Sequence, residues 1–191
     1  MTNLPAVAAW RHLGAREGFE VVFVRREGEE LVLEGHVTAV EEGEAWGVRY
    51  TVSVDSNWLT RFAHVAGRSP LGAFDVQLKA DGAGGWRVGG RSTPELDGCL
   101  DVDLEASACT NALPVRRLGL AAGATADAPA AYVRAMDARV ERLEQRYTRL
   151  PDDDGRLRFD YASPAFDYRD VIGYDDAGLV LDYPGIAVRV L

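Results

Sequence analysis

The stretch WGVRYTVSVD, residues 46–55, alternates apolar and polar side chains with a period of two. In an extended chain, successive side chains point to opposite faces, so the two sets separate cleanly. The apolar face holds Val48, Tyr50, Val52 and Val54, and the polar face holds Arg49, Thr51 and Ser53. This pattern predicts a β-strand with one face in the core and the other in water.

Similar runs surround this strand at short intervals along the first half of the chain. They are FEVVFVR (19–25), ELVLEGHV (30–37) and FDVQLKAD (74–81). In the first run, Phe19, Val21 and Phe23 form the apolar side and alternate imperfectly with Glu20 and Val22. Turns rich in glycine and acidic residues separate the runs, as short β connections require.

The second half of the chain carries the same signal. The strand-like runs are LDVDLE (100–105), RLRFDYAS (156–163), RDVIGYD (169–175), GLVLDYPG (178–185) and IAVRVL (186–191). Strands at such spacing predict a mainly β, single-domain protein over residues 1–191. We expect a strongly curved antiparallel meander or an unclosed β-barrel, with little helix.

The segment 133–150 carries a different periodicity. Its apolar residues recur at the spacing of a helix, and the alanine, arginine and glutamate between them favour helix. From the residues alone this segment is predicted to be helical.

Composition excludes several classes of function. The net charge of −9 and the absence of a basic block argue against nucleic-acid binding. No apolar run approaches the roughly 20 residues of a membrane span. Two cysteines are too few for a disulfide scaffold, so we expect a cytoplasmic protein with reduced thiols. The oligomeric state cannot be deduced from these features.

The sequence also lacks the usual signals for metal, cofactor or nucleophile. The three histidines, His12, His36 and His64, are scattered, and Cys99 and Cys109 do not have the spacing of metal ligands. No glycine-rich loop has phosphate-binding spacing, and no serine lies in a nucleophile motif. We therefore predict no metal, no cofactor and no identifiable catalytic residue.

The stretch DGCLDVDLEASACTNALPVRRL (97–118) is chemically the richest. Asp101, Asp103 and Glu105 would form an acidic row along one face of a strand. Three interpretations stay open: a solvated or structural row, the wall of a binding cavity, or a carboxylate pair for catalysis. The part TNALPVRRL is predicted to turn at Asn111–Ala112 and return as a neighbouring strand, which would bring Arg116 or Arg117 opposite an acid.

The ordered set of motifs resembles the putative glycolipid-binding family, a bacterial family formerly described as a domain of unknown function. The resemblance covers nearly the whole chain. The matching motifs are WR (10–11), GHV (35–37), VRYTVSVDSNWLTR (48–61), DGAGGW (81–86), LDGCLDVDL (96–104), TNALPVRRL (110–118), QRYTRL (145–150) and GLVLDYPG (178–185).

This resemblance implies a fold similar to the periplasmic lipoprotein carriers, with an unclosed barrel around an apolar cavity. It also implies extended structure over roughly 130–147, against the helical periodicity. The implied partner is a glycolipid or another amphiphilic small molecule. Asp101 and Asp103 could then fix Arg116 or Arg117 in place.

Aromatic rings suit apolar tails and sugar faces, and arginines suit polar heads. On that basis we selected ligand-binding candidates among the matched positions. They are Trp58, Arg61, Trp86, Arg116, Arg117, Gln145, Tyr147 and Tyr183. Two alternatives remain: a hydrolase or transferase of lipid or sugar conjugates that acts through Asp101 or Asp103, and an interaction module that uses exposed sheet edges.

Overall fold

A computed structural model describes residues 3–191 of the chain. These residues form seventeen β-strands, one α-helix and three 3-10 helices. The strands are β1 (Val7–His12), β2 (Arg16–Glu27), β3 (Glu30–Glu41), β4 (Glu44–Val54), β5 (Thr60–Ser69), β6 (Gly72–Ala80), β7 (Trp86–Val88), β8 (Arg91–Ser92), β9 (Asp101–Leu104), β10 (Thr125–Asp127), β11 (Ala130–Val133), β12 (Val140–Leu143), β13 (Arg146–Asp153), β14 (Arg156–Ser163), β15 (Tyr168–Tyr174), β16 (Val180–Tyr183) and β17 (Ala187–Arg189). The helices are α1 (Ala112–Leu118) and the 3-10 turns Pro94–Leu96, Cys109–Asn111 and Pro164–Phe166.

Fourteen of the strands form one antiparallel sheet. The order is β10, then β13 to β17, then β1 to β8. Strands β1 and β17 pair, with Trp10 opposite Arg189, so the two ends of the chain meet inside the sheet. Strands β10 and β8 are its free edges, and the sheet is not closed into a barrel. The predicted single-domain, mainly β fold with an unclosed sheet and little helix is confirmed.

A second sheet of three strands runs in the order β12, β11, β9. Here β9 and β11 are parallel, with Ala130 opposite Asp101 and Val133 opposite Leu104. This parallel pair lies outside the large antiparallel sheet that the sequence predicted. The long connection that contains α1 gives the chain the length that a parallel return requires.

Residues 96–118 lie against the inner face of the large sheet. Trp86 Nε1 on β7 donates to the carbonyl of Cys99 at 2.8 Å. Tyr50 on β4 contacts Ser107, and Tyr147 on β13 donates to Asn111. Because β7 and β13 stand near opposite edges of the sheet, the sheet must curve around this segment to contact it from both sides.

The alternation of side chains predicted the faces of most strands correctly. In β4, the four predicted core residues Val48, Tyr50, Val52 and Val54 are all buried. In β2 the prediction is wrong, since Phe19 and Phe23 are 56% and 51% exposed, whereas Glu20 and Val22 are fully buried. The reason is that the carboxylate of Glu20 finds hydrogen-bond donors inside the protein, which makes its burial tolerable.

The segment TNALPVRRL is not the predicted returning strand. It forms the end of a 3-10 turn and then α1, Ala112–Leu118. Alanine, leucine and arginine favour helix, and Pro114 lies in the first turn, where its missing N–H is not needed. Gly119 ends the helix with a positive φ of 53°.

The extended structure expected over roughly 130–147 is confirmed, and the helical periodicity of 133–150 misled. Strands β11, β12 and the start of β13 occupy this region.

Among the described residues, none of the helices has the length and apolar character that crossing a membrane would require.

Candidate functional site

A cavity of about 280 Å³ lies beside the segment 103–111, between β1, β9 and the C-terminal strands. Its inner part is polar and includes His12, Asp103, Ser107, Asn111 and Ser163. Four tyrosines form much of its wall. They are Tyr132, Tyr161, Tyr168 and Tyr183. Its more exposed part is charged at Arg16, Glu41 and Glu105 and apolar at Leu13, Phe166 and Ile186, and Leu143 is a buried apolar lining residue.

Asp103 is the buried carboxylate of this cavity. Its Oδ1 accepts a hydrogen bond from Thr110 Oγ1 at 2.9 Å, and its Oδ2 accepts one from Gln145 Nε2 at 2.6 Å. Burial raises the pKa of Asp103 to about 6, although these two donors lower it in part. Neither partner is charged, so its negative charge has no direct counterion within residues 3–191.

The loop that follows Asp103 is held by Glu20. Ser107 Oγ and the Ala108 amide donate to its carboxylate at 2.5 and 2.7 Å. Tyr50 donates a third hydrogen bond at 2.6 Å. Burial raises the pKa of Glu20, and these donors act against that rise. The buried carboxylate therefore fixes one wall of the cavity from behind.

Tyr161 packs edge to face against Tyr183 and at a tilt against Tyr168. The ring centre of Tyr161 lies 5.9 Å from that of Tyr183 and 6.1 Å from that of Tyr168. Burial raises the pKa of all three hydroxyls, that of Tyr168 to about 12, so they stay protonated at neutral pH. The wall thus offers apolar ring faces together with hydroxyl groups.

Two further features define the entrance. Arg16 donates from Nε and Nη2 to Glu41 and from Nη1 to the carbonyl of Glu105, so its guanidinium group is already occupied. Phe166 and Ile186 are 44% and 37% exposed and give the rim an apolar part. His12 is buried, and burial together with Arg16 lowers its pKa to about 4.

The structure brings three of the predicted ligand residues to this cavity. Tyr183 lines it directly. Gln145 binds Asp103, and Tyr147 is fully buried and donates to Asn111 at 3.3 Å. The last two therefore support lining residues from behind.

The other five predicted ligand residues do not line the cavity. The Arg116 guanidinium lies over the Trp58 ring, 4.1 Å from its centre. Arg61 donates to the carbonyl of Asp81, Trp86 donates to Cys99, and Arg117 pairs with Asp101. A role for these five in ligand binding stays a prediction.

The members of the acidic row have different roles, so two of the interpretations left open apply to different residues. Asp101 and Asp103 are 1% and 8% exposed, so a solvated row is wrong for both. Asp101 is structural, because Arg117 binds both of its oxygens as expected for a fixing partner. Asp103 forms part of the cavity wall and binds neither Arg116 nor Arg117.

Sequence reasoning missed several lining residues. His12 gave no signal, because a lone histidine is usually an ordinary core or surface residue. Tyr161 could have been predicted as a buried residue, since alternation in RLRFDYAS places it on the same face as Phe159.

Within the described part of the chain, no group of three or more His, Cys, Asp or Glu side chains could hold a metal ion.

Comparison with known proteins identifies the relatives of this chain. A family model described as putative glycolipid-binding matches residues 7–189. The crystal structure of a DUF1089 family protein from Pseudomonas aeruginosa aligns with a TM-score of 0.75 and 31% identity, covering 100% of this chain and 98% of that one. A search of curated proteins finds no match.

Proposed function

We propose that this chain, which belongs to the putative glycolipid-binding family, binds the sugar head group of a glycolipid or a similar amphiphile in the cavity beside Asp103. The observation that carries the proposal is the combination of a buried carboxylate with a wall of tyrosine rings in one concave site. Tyr183 would contact the ligand, and Gln145 and Tyr147 would position Asp103 and Asn111.

The chemistry of the lining suits a sugar. Aromatic rings pack against the apolar C–H faces of a sugar ring, while the Asp103 carboxylate accepts hydrogen bonds from its hydroxyls. The side-chain amide of Asn111 adds a group that can both donate and accept. A few convergent polar groups in an otherwise apolar pocket are typical of small-molecule sites.

The size of the cavity favours the head group over the whole amphiphile. Ligand pockets for drug-sized molecules span roughly 300 to 1,000 Å³. At about 280 Å³, this cavity has room for a head group but little for long acyl chains. The exposed rim residues Phe166 and Ile186 offer an apolar surface along which a chain could leave the cavity.

We also propose a cytoplasmic location. Both cysteines are free and buried, which agrees with a reducing compartment. Detection of the tagged protein in fractionated cells would test this point.

Binding can be tested by calorimetry with an alkyl glucoside kept below its critical micelle concentration. We expect Tyr183→Ala and Asp103→Asn to weaken binding at least tenfold, with Tyr183→Phe as a milder variant should the alanine change unfold the chain. Trp58→Ala is the control, because Trp58 lies outside the cavity. Loss of binding in Trp58→Ala alone would place the site at the Trp58–Arg116 pair and refute the cavity.

A second candidate function is catalysis by Asp103 on a lipid or sugar conjugate. The observation in its favour is that the pKa of Asp103, at about 6, suits a general acid or base near neutral pH. Asp101 is held by Arg117 and does not line the cavity, so Asp103 would act without it. Turnover of nitrophenyl glycosides or esters that Asp103→Asn abolishes would support this candidate, and absence of turnover would leave binding as the function.

A further inference from the structure

We infer that the head group which this cavity accepts carries a positive charge, as the free amino group of an amino sugar does. The inference rests on the proposed function and specifies its ligand class. It is carried by the charges, rings and hydrogen-bonding atoms that line the cavity.

The lining carries more negative than positive charge. Among the described residues that line the cavity, Asp103, Glu105 and Glu41 are acidic and Arg16 is the one arginine, while Arg134 lies outside the lining and close to Glu105. Arg16 already binds Glu41 at 3.0 Å and the Glu105 carbonyl at 2.8 Å. Glu105 also accepts a hydrogen bond from the Ala135 amide and lies 3.8 Å from Arg134, so the least compensated carboxylate is Asp103.

Asp101, on the same strand as Asp103, is a buried carboxylate whose charge is compensated within the protein. It lies two residues before Asp103 and is also buried, but Arg117 binds both of its oxygens. At Asp103 the corresponding donor is Gln145, which is neutral and approaches to 2.6 Å. An unpaired buried charge is costly, and a bound cation would supply the missing partner.

The aromatic wall also favours a cation. Tyr161 and Tyr183 line the cavity, and Asp103 acts electrostatically on their hydroxyl groups, whereas the ring of Tyr132 already lies under the Arg134 guanidinium. The faces of aromatic rings attract ammonium groups, more strongly where water is excluded. A carboxylate in a cavity lined by tyrosine rings therefore recognises an ammonium group better than a neutral hydroxyl.

His12 supplies an independent observation. Its side chain is 6% exposed and lines the cavity, and its Nδ1 has no hydrogen-bond partner within residues 3–191. With a pKa of about 4, the imidazole is neutral at physiological pH. A neutral ring nitrogen can accept a hydrogen bond from an ammonium group without opposing its charge.

The test compares three ligands that carry the same alkyl chain. They are the glucoside, the corresponding 2-amino-2-deoxyglucoside and the N-acetyl derivative of that amino sugar. Calorimetry on the full chain at pH 7 should give at least tenfold tighter binding for the free amine than for the glucoside. N-acetylation removes the charge and should remove the gain. The preference should also vanish in Asp103→Asn.

Two further variants sharpen the result. Gln145→Lys places a cation beside Asp103 and should abolish the preference even if Asp103→Asn fails to fold. Asp160→Asn changes a carboxylate that pairs with Arg169 outside the cavity, and it should leave the preference unchanged.

The outcomes separate the two proposals. Equal affinity for the amine and the glucoside in the unmodified chain overturns the inference and leaves the proposed function standing. A preference for the amine that persists in both Asp103→Asn and Gln145→Lys also overturns it, because the charge is then recognised elsewhere. If none of the three ligands binds, the proposed function itself fails.

Discussion

Arg117 donates three hydrogen bonds to Asp101, from Nε to Oδ1 at 2.9 Å and to Oδ2 at 3.2 Å, and from Nη2 to Oδ2 at 2.6 Å. The side chains are only 12% and 1% exposed, so the ion pair is largely shielded from water. It ties the last turn of α1 to β9, the strand that also carries Asp103. The position of the cavity carboxylate therefore depends on an ion pair two residues away.

Removing Arg117 should destabilise the protein strongly. Arg117→Ala leaves Asp101 buried without its counterion, and breaking a buried pair in this way costs about 3 to 5 kcal/mol. The free energy of unfolding from urea denaturation measures the loss. The matched control is Arg146→Ala, because Arg146 pairs with Asp127 on the surface, where both side chains are about 60% exposed. That change should cost less than about 1 kcal/mol, and equal losses in both variants would contradict the structural role of Arg117.

Asp103 should make the protein less stable as the pH rises through the neutral range. Its folded pKa is raised from 3.8 to about 6, so folding favours the protonated form. This contribution is fully present below about pH 4 and is lost as the pH rises through about 6, up to roughly 3 kcal/mol. Asp103→Asn keeps a similar shape without the charge. Its stability relative to the unmodified chain should therefore increase between pH 4 and pH 7.

Thermal unfolding at several pH values would measure this trend. Asp160→Asn is the control with the opposite sign, because Arg169 lowers the pKa of Asp160 and that carboxylate stabilises the fold above its unfolded pKa. If the stability difference between Asp103→Asn and the unmodified chain does not change with pH over this range, the charge of Asp103 is compensated in the folded protein and the prediction is wrong.

The sequence predicted strands and faces where alternation is strict and the buried positions are apolar, as in β4. It failed in β2, where the buried position is Glu20. The groups that make this burial tolerable are Tyr50, Ser107 and the Ala108 amide, far away along the chain. No local pattern reveals such partners. The helix α1 could have been predicted from local sequence, since Gly119 directly follows a run of helix-favouring residues.

The candidate site could be predicted only in part. Motif matching selected Tyr183, Gln145 and Tyr147, which line or support the cavity, but it also selected Trp58 and Arg116, which meet elsewhere. Which of two adjacent carboxylates faces a cavity depends on the placement of Arg117 and Gln145. Arg117 is placed by α1, and Gln145 is placed by β12, which pairs with β11 beside β9. The sequence predicted neither α1 nor the parallel pairing of β9 with β11.

Gly35 should tolerate no side chain. A Cβ built there would lie 2.0 Å from Cζ of Tyr50, whose hydroxyl binds Glu20. Gly35→Ala must displace this ring and the network that holds the cavity loop, and overpacking of this kind costs about 1 to 3 kcal/mol or more. Gly47→Ala is the matched control, because its Cβ would meet its nearest neighbour, the Val37 carbonyl, at 3.7 Å. Urea denaturation should separate the two variants, and a stable Gly35→Ala would refute the position of Tyr50.

The two thiols should be unreactive while the protein is folded. Both cysteines are 1% exposed, and burial raises the pKa of Cys99 to about 11 and that of Cys109 well above its usual value. Because the thiolate is the reactive form, Ellman's reagent at pH 8 should detect no thiol in the native protein and two after denaturation. Rapid labelling of Cys109 in the native state would mean that the loop held by Glu20 opens readily. The wall of the cavity would then be mobile, and the rigid placement of Ser107 and Asp103 on which ligand recognition depends would be lost.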